Sequence, residues 1–568
     1  RMQCVSTRAA NKGCRRLNSM NNFIINIKHH LKKQGWTIYA SIACSLFSLF
    51  FLLGSIPIYA AGDRTNVPLK NWGGFSVYRS WVYDALEKLA LAGFVDQALL
   101  NTKPLSRMEA ARMVAQAVSK IKSEKGIDYS ERTYLEDLVY QLVEEFGTEL
   151  AAMGVKTPLN ANAQSKFWGF KPVDNVQLGS AYANNAQKLV NNSGQHTKEG
   201  FNSYLTLDGR NQVGDFLSLY YQPEFTNDEN NNQGRLQLGY GKITYLNTEL
   251  EVGRDSLWWG PGFRGSMLFS NNAAPLDQIK LGSAEPFRLP WVFDCIGPIK
   301  ATTFVGRLES DRDYPNAYVG GYRFSLAPSR FLEIGHGRAY QFGGDGKGYG
   351  IKDFPETVFQ TTTSEGVDDP EGPRNINNLL SLDITVRIPN VDKYIFIARD
   401  MSIYGEMGWD DTRKGFIYPK DPGGLVGTYL TGFLGDPKLD FRLEYARSTP
   451  IMFTHGNYTS GFTYKDDVLS HFIGTEGDEF YARLSREFGK DVLLGLQVSV
   501  ADIGPTQAGF AGYPREERNS IGPDFSYRFS ERASIFAEYL YSYIENSEFI
   551  SGKTDDDHLF LLEFTYSL

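Results

Sequence analysis

The sequence predicts a transmembrane β-barrel of about 18 antiparallel strands carrying an N-terminal periplasmic α-helical bundle, and three observations carry that reading. The last nine residues, Phe560-Leu-Leu-Glu-Phe-Thr-Tyr-Ser-Leu568, set large apolar side chains at 560, 562, 564, 566 and 568, with Glu563, Thr565 and Ser567 between them. Successive strand residues face opposite sides, so this segment offers one greasy stripe and one polar stripe. From Val176 onward the chain repeats that pattern in short runs divided by Gly, Asn, Asp and Pro. The front of the chain reads as an export leader. In a bilayer only a closed barrel or a helix leaves no backbone group unpaired.

The elements follow in order. Met20 reads better than Arg1 as the biological start. Lys28, Lys32 and Lys33 form a basic region, Trp36 to Tyr59 carry no charge, and Ala60 and Ala61 supply small residues for cleavage. Residues 1–61 are therefore expected to be a signal peptide, although an uncharged run of that length could also stay as an anchor. Residues 62–155 are expected to form the helical bundle. In Trp81 to Gly93, Val82, Leu86, Leu89 and Ala90 share one face, and Gly93 is a fitting stop. Ser106 and Glu109 form a capping box ahead of Ala110, Met113, Val114, Ala117 and Val118. After Ser130 a third helix repeats Leu135, Leu138, Val139, Leu142, Val143 and Phe146 at three- and four-residue steps.

Residues 156–172 are expected to be a linker and 173–568 the barrel. The clearest strands are Phe201–Asp208, Phe216–Gln222, Arg235–Tyr245, Leu380–Ile388, Tyr394–Glu406, Lys438–Arg447, Phe480–Phe488, Val492–Val500, Ile521–Phe529 and Ala533–Tyr543. Short links such as Phe488–Asp491 and Phe529–Arg532 read as periplasmic turns. Ser256–Ile296, Gly343–Asn377, Thr449–Asp478 and Gly504–Asn519 read as extracellular loops or lumen inserts.

Composition narrows the function. Residues 1–61 hold eight Lys/Arg and no acid, so the rest of the chain carries −16 of formal charge against −8 for the whole, which argues against nucleic-acid binding. Three of the four cysteines lie in that leader, leaving Cys295 without a partner for an internal disulfide. Aromatic residues make up 14% and glycines number 56, as suits a barrel more than a helical membrane protein.

The densest unusual segment is Val252 to Pro275, in which Trp258 and Trp259 precede Gly260-Pro261-Gly262 and are flanked by Arg254, Asp255, Arg264, Asn271 and Asn272. Aromatic faces stack on sugar C–H faces, and amides, carboxylates and guanidinium groups bond sugar hydroxyls, so these residues are candidate polysaccharide contacts. The plain alternative is an aromatic girdle plus a structural loop. Glu406, Trp409 and Asp410 form a second candidate at a strand tip, and Tyr458, beside His455 and ahead of His471, a third; solvated loop residues are the default there. No His-x-x-x-His or His-Glu-x-x-His spacing occurs after the leader, Gly343 to Gly350 lacks the Walker spacing, and neither Asp368-Asp369 nor Asp410-Asp411 makes an EF-hand. No catalytic residue, metal site or cofactor is therefore expected.

At Gly253-Arg254-Asp255-Ser-Leu-Trp258-Trp259-Gly260-Pro261-Gly262, followed by Asn271-Asn272-Ala-Ala-Pro275, the chain resembles the Wzi family of capsule-assembly outer-membrane proteins. Ile403 to Asp411, Arg442 to Arg447 and Tyr458 to Asp478 agree with it. The resemblance implies an 18-stranded barrel with a helical plug, acting as a surface lectin that holds capsular polysaccharide and catalyses nothing. The expected partners besides polysaccharide are outer-membrane lipid and peptidoglycan or polysaccharide-export machinery, and the chain is expected to be a monomer. Leu568 departs from the aromatic that usually ends such barrels. Two rivals stay open at this point. The helical front also resembles an S-layer-homology module, implying a carbohydrate-selective porin that grips peptidoglycan. A barrel hydrolase is the other.

Overall fold

The computed structural model describes residues 62–69, 81–123, 129–157, 167–228, 231–347, 350–351, 376–413, 418–506 and 512–568. The expected signal peptide, its cleavage point and Asp368-Asp369 lie outside these residues. Everything described belongs to one compact unit.

Eighteen strands close into one antiparallel barrel. They are β1 (Trp168–Ala183), β2 (Gly200–Val213), β3 (Leu217–Asp228), β4 (Asn231–Tyr245), β5 (Thr248–Asp255) and β6 (Leu276–Ser283). Next come β7 (Ile299–Arg307), β8 (Tyr318–Ser329), β9 (Leu332–Phe342), β10 (Asn377–Ile388), β11 (Asp400–Trp409) and β12 (Gly423–Thr431). The last six are β13 (Leu439–Arg447), β14 (Asp478–Phe488), β15 (Val492–Ile503), β16 (Glu516–Arg528), β17 (Ala533–Glu545) and β18 (Thr554–Ser567). Closure comes from β1, which pairs with β2 on one side and with β18 on the other, from Asn175↔Ser567 to Ala183↔Leu559. The terminal stripe behaves as its spacing predicts. Phe560, Leu562, Phe564 and Tyr566 face outward, while Glu563 points inward and accepts from the Tyr204 hydroxyl. Inward positions elsewhere are mostly polar or charged and outward ones mostly apolar, so the strands separate a polar face from an oily one.

Several boundaries differ from the sequence reading; β2 runs on to Val213, and β16 begins at Glu516, inside the expected loop Gly504–Asn519. Strand β1 starts at Trp168, inside the expected linker, because the ladder tolerates Pro172 by a register shift between Lys171 and Asn175. The expected strand Tyr394–Glu406 starts only at Asp400; Val391–Lys393 is a 3-10 turn and Tyr394 to Ile397 are exposed. The expected loop Ser256–Ile296 contains strand β6, whose inward Lys280 pairs with Glu251 and Asp255 and so breaks the apolar alternation.

Most short connections lie at the end where β1 begins and β18 finishes, the turn rim, which also carries the longer connections β6–β7 and β10–β11; most long ones lie at the other end, the loop rim. At the turn rim sit four helices, α1 (Trp81–Leu91), α2 (Arg107–Ser123), α3 (Tyr129–Glu145) and α4 (Gly147–Ala152). Val82, Leu86, Leu89 and Ala90 of α1 are buried as their spacing predicts. Gly93 ends the helix with φ +84° while the N–H of Phe94 reaches the Leu89 carbonyl at 2.8 Å. The capping box of α2 is complete: the Ser106 N–H donates to Glu109 at 2.8 Å, and the Glu109 N–H donates to the Ser106 hydroxyl at 3.2 Å. Ion pairs lock the helices to the wall, Lys88 to Asp440 and Glu487 at 2.8 and 2.7 Å, and Arg442 to Glu87 at 2.8 Å.

Candidate functional site

The segment that sequence reading singled out forms a loop that folds into the barrel and organises its interior. Between β5 and β6, residues 256–275 leave the loop rim and run inward. There Trp258–Trp259 pairs as a short antiparallel ladder with Thr102–Lys103, which enters from the helical end. The Gly260 N–H donates to the Asn101 carbonyl at 2.9 Å. Asn101 in turn donates to Glu333 from its backbone and to Asp383 and Thr385 from its amide, fixing this strand of the helical region against β9 and β10. Loop and helical region thus meet in mid-barrel.

Both tryptophans are buried. Trp258 packs in the core of the helical bundle, with the Lys103 ammonium over its ring at 5.6 Å. Trp259, 1% exposed, lies edge-on to Phe269 and Phe304 at 5.0 and 5.4 Å between centroids. Neither offers a free face to a sugar; each fills a core. Gly260 and Gly265 permit the close approach, since a Cβ there would collide with Glu406 and His471 respectively.

The polar neighbours anchor the loop. Adjacent N–H groups of Phe263 and Arg264 donate to the Glu444 carboxylate at 2.8 and 2.9 Å. The Arg264 guanidinium pairs with Glu479 at 2.7 Å and lies over the rings of Phe472 and Tyr481. Glu406 accepts the Met267 N–H at 3.1 Å. The Asn271 carbonyl accepts the Ser193 N–H at 2.6 Å, and the Asn272 amide donates to Val468 at 3.1 Å, so loops 184–199 and 448–477 are tied to the same hub. His471 is fully buried, and burial together with nearby Arg264 pushes its pKa down to about 3.

The remaining predicted residues lie elsewhere. Asp255 faces inward and pairs with Lys280, whereas Arg254, one residue earlier, faces outward and pairs with Asp277 at 2.7 Å. Trp409 is buried at the tip of β11, with Asp410 half-buried beside it. Tyr458 is buried against Tyr314 and donates to the Gly343 carbonyl at 3.2 Å, inside a knot of loops 308–317, 343–347 and 448–477.

Among the described residues, one group that reaches solvent at the loop rim is a set that sequence reading did not assemble. It surrounds the hairpin Thr463–Tyr464 and Asp467–Val468. Lys188 donates to Asp466 and Asp467 at 2.9 and 3.1 Å, and His196 sits 3.0 Å from Asp467. Lys465 is exposed, and its pKa is lowered by partial burial and by the neighbouring Arg254 and Arg235. These residues come from four separate segments, so no local motif could reveal them. Among the described residues no cluster of three or more His, Cys, Asp or Glu is placed to hold a metal.

An 18-stranded closed barrel with an oily exterior, a filled lumen and a polar loop rim defines an outer-membrane β-barrel of the plugged kind. The family profile described as capsule assembly protein Wzi matches residues 173–559, and the chain belongs to that family of outer-membrane capsule-assembly barrels. A curated relative from Klebsiella pneumoniae, an uncharacterized 55.8 kDa protein in the cps region, is 24% identical over 313 residues. That match spans 55% of this chain and about half (53%) of the relative. The Escherichia coli outer-membrane protein Wzi, described as a carbohydrate-binding β-barrel involved in group 1 capsule assembly, is similar in fold at a TM-score of 0.65. It is 17% identical, with 86% of this chain and 98% of that one covered.

Proposed function

We propose that this protein holds exported capsular polysaccharide at the cell surface through its loop rim, with the helical bundle capping the periplasmic mouth, and that it binds without catalysing. The filled interior is the observation that carries this reading. Helical segment and inward loop meet at Trp258–Trp259, so contact with a long polymer falls to the rim. There Lys188, His196, Lys465, Arg235 and Arg254 offer donors, while Asp466 and Asp467 offer acceptors, and sugar hydroxyls use both. The buried residues Trp258, Trp259, Arg264, Asn271 and Glu406 serve this role indirectly, by fixing the loops that present the rim. The carbohydrate binding described for the Escherichia coli barrel supports the same chemistry here. On the opposite side, peptidoglycan or the export machinery would meet the helices.

The test is made in cells. Deleting the chain is expected to move polysaccharide from the cell-bound to the shed fraction without lowering the total. The triple change Lys188→Glu, Arg254→Glu and Lys465→Glu is expected to do the same while the barrel still assembles. An unchanged cell-bound fraction in the deletion strain would overturn the reading.

A further inference from the structure

The lumen is not filled evenly. Along β14 to β17 two polar cavities flank the inward loop, one toward each rim. The turn-side cavity, of about 130 Å³, lies between helices and wall and is lined by Trp81 and Lys88 of α1, Gln141 of α3, Ser485 of β14, Leu493 of β15 and Ser526 of β16. Exposed Lys490, in the turn from β14 to β15, stands at its mouth. The loop-side cavity, of about 60 Å³, is lined by Val190, Ser499, Ser520, Ser542 and Asp557, and by Lys188, whose side chain is 59% exposed at the loop rim. A water needs roughly 10–15 Å³ of such space and polar partners, so both cavities have room for several.

A thin partition separates them. Arg483 lines the turn-side cavity, and Gln497, its ladder partner on β15, lines the loop-side one. Phe263 and Arg264, neighbours on the inward loop, are divided between the two cavities in the same way. Two side-chain bridges span the strands here: Arg483 donates to Asp524 at 2.7 Å, and Gln497 donates to Glu538 at 2.6 Å. The Tyr481 hydroxyl donates to Gln497 at 3.2 Å. Its ring lies 5.9 Å from that of Phe263 and under the Arg264 guanidinium at 4.7 Å. Gly495 and Gly522 stand opposite Asp524 and Gln497 in the ladder, so at those two inward positions the wall contributes no side chain. Closure at this level rests on the polar bridges, Tyr481 and the Phe263–Arg264 step.

We propose that the two cavities are halves of one gated passage, which admits water, hydrated ions and small polar solutes along β14 to β17 when the Arg483–Asp524 and Gln497–Glu538 bridges part. Hydroxyl and amide side chains on both sides of the partition replace hydrogen bonds of a solute's hydration shell, which the apolar packing around Trp259 cannot do. The passage is a property separate from retention of polysaccharide at the loop rim.

Planar-bilayer recording of the full barrel tests this. Changing Arg483, Asp524, Gln497 and Glu538 together to Ala removes both bridges whole and leaves neither partner of the ion pair buried alone. The unaltered barrel is expected to stay silent. The altered one, still migrating as a folded barrel in unheated gels, is expected to show sustained open steps. A charged thiol reagent is expected to remove most of that current when Ser520→Cys or Ser526→Cys is introduced with Cys4, Cys14, Cys44 and Cys295 changed to Ser. A folded but silent variant would overturn the passage, as would a current that neither thiol blocks or a sustained current through the unaltered barrel. If the four-residue variant does not fold, the closed form decides. With both bridges intact, the reagent must reach position 526 from the turn side only and position 520 from the loop side only; any other pattern overturns the proposal.

Discussion

Arg264 and His471 set the residue-scale behaviour of the interior. Arg264→Ala leaves Glu479 buried without its cation, so the folded barrel is expected to lose about 3–5 kcal/mol, read as a lower melting point in detergent. Trp259→Ala is expected to cost about as much, 3–5 kcal/mol, by opening a cavity between Phe269 and Phe304. Arg254→Ala removes only a partly exposed outer pair and is expected to cost less than about 1 kcal/mol. His471 adds a pH dependence. Its folded-state pKa of about 3 lies below the ordinary histidine value, so the unfolded chain binds the extra proton first. Stability present above about pH 6.5 is lost as pH falls toward 3, amounting to about 2 kcal/mol at pH 5. Proteolysis of loop 448–477 is expected to quicken between pH 7 and pH 5, and His471→Gln to flatten that change. Sequence marked Trp259 and Arg264 as special but not what made them so. Their partners lie on Phe304 and Glu479, which only closure of the barrel brings near.

Elements were legible where their signals are local. The α2 cap lies within four residues, and both of its bonds form. Glu109 also receives Lys300 of β7 at 2.6 Å, a partner that no helix pattern contains. Ser106→Ala is therefore expected to cost about 1 kcal/mol, and Glu109→Ala more, because it strands a buried ammonium; chemical melts of the two variants compare them directly. Strand signals failed where the inward face holds charge. Lys280 hid β6, and the apolar run Tyr394 to Ile397 has a strand's composition although it forms the turn ahead of β11. The donors and acceptors that Lys188, His196 and Lys465 to Asp467 bring to the rim gave no local pattern.

For the whole molecule, alternation repeated over many segments specified the barrel, since no single strand is decisive and all share one period. The terminal strand identified its own lipid face because its inward partners, Glu563 and Thr565, are polar. What the sequence left open was whether the cylinder is hollow. The pairing of Thr102–Lys103 with Trp258–Trp259 and the seating of Glu87 and Lys88 on the wall close it from both ends. Purified protein in planar bilayers is accordingly expected to stay near-silent, with sustained conductance appearing when residues 258–269 are deleted. The central claim concerns the rim, and binding of the cell's own exported polysaccharide to the purified, folded barrel tests it most directly. Polysaccharide is expected to be retained on immobilised protein and released when Lys188, Arg254 and Lys465 are all changed to Glu. Passage of the polymer over a folded wild-type barrel without retention would contradict the account.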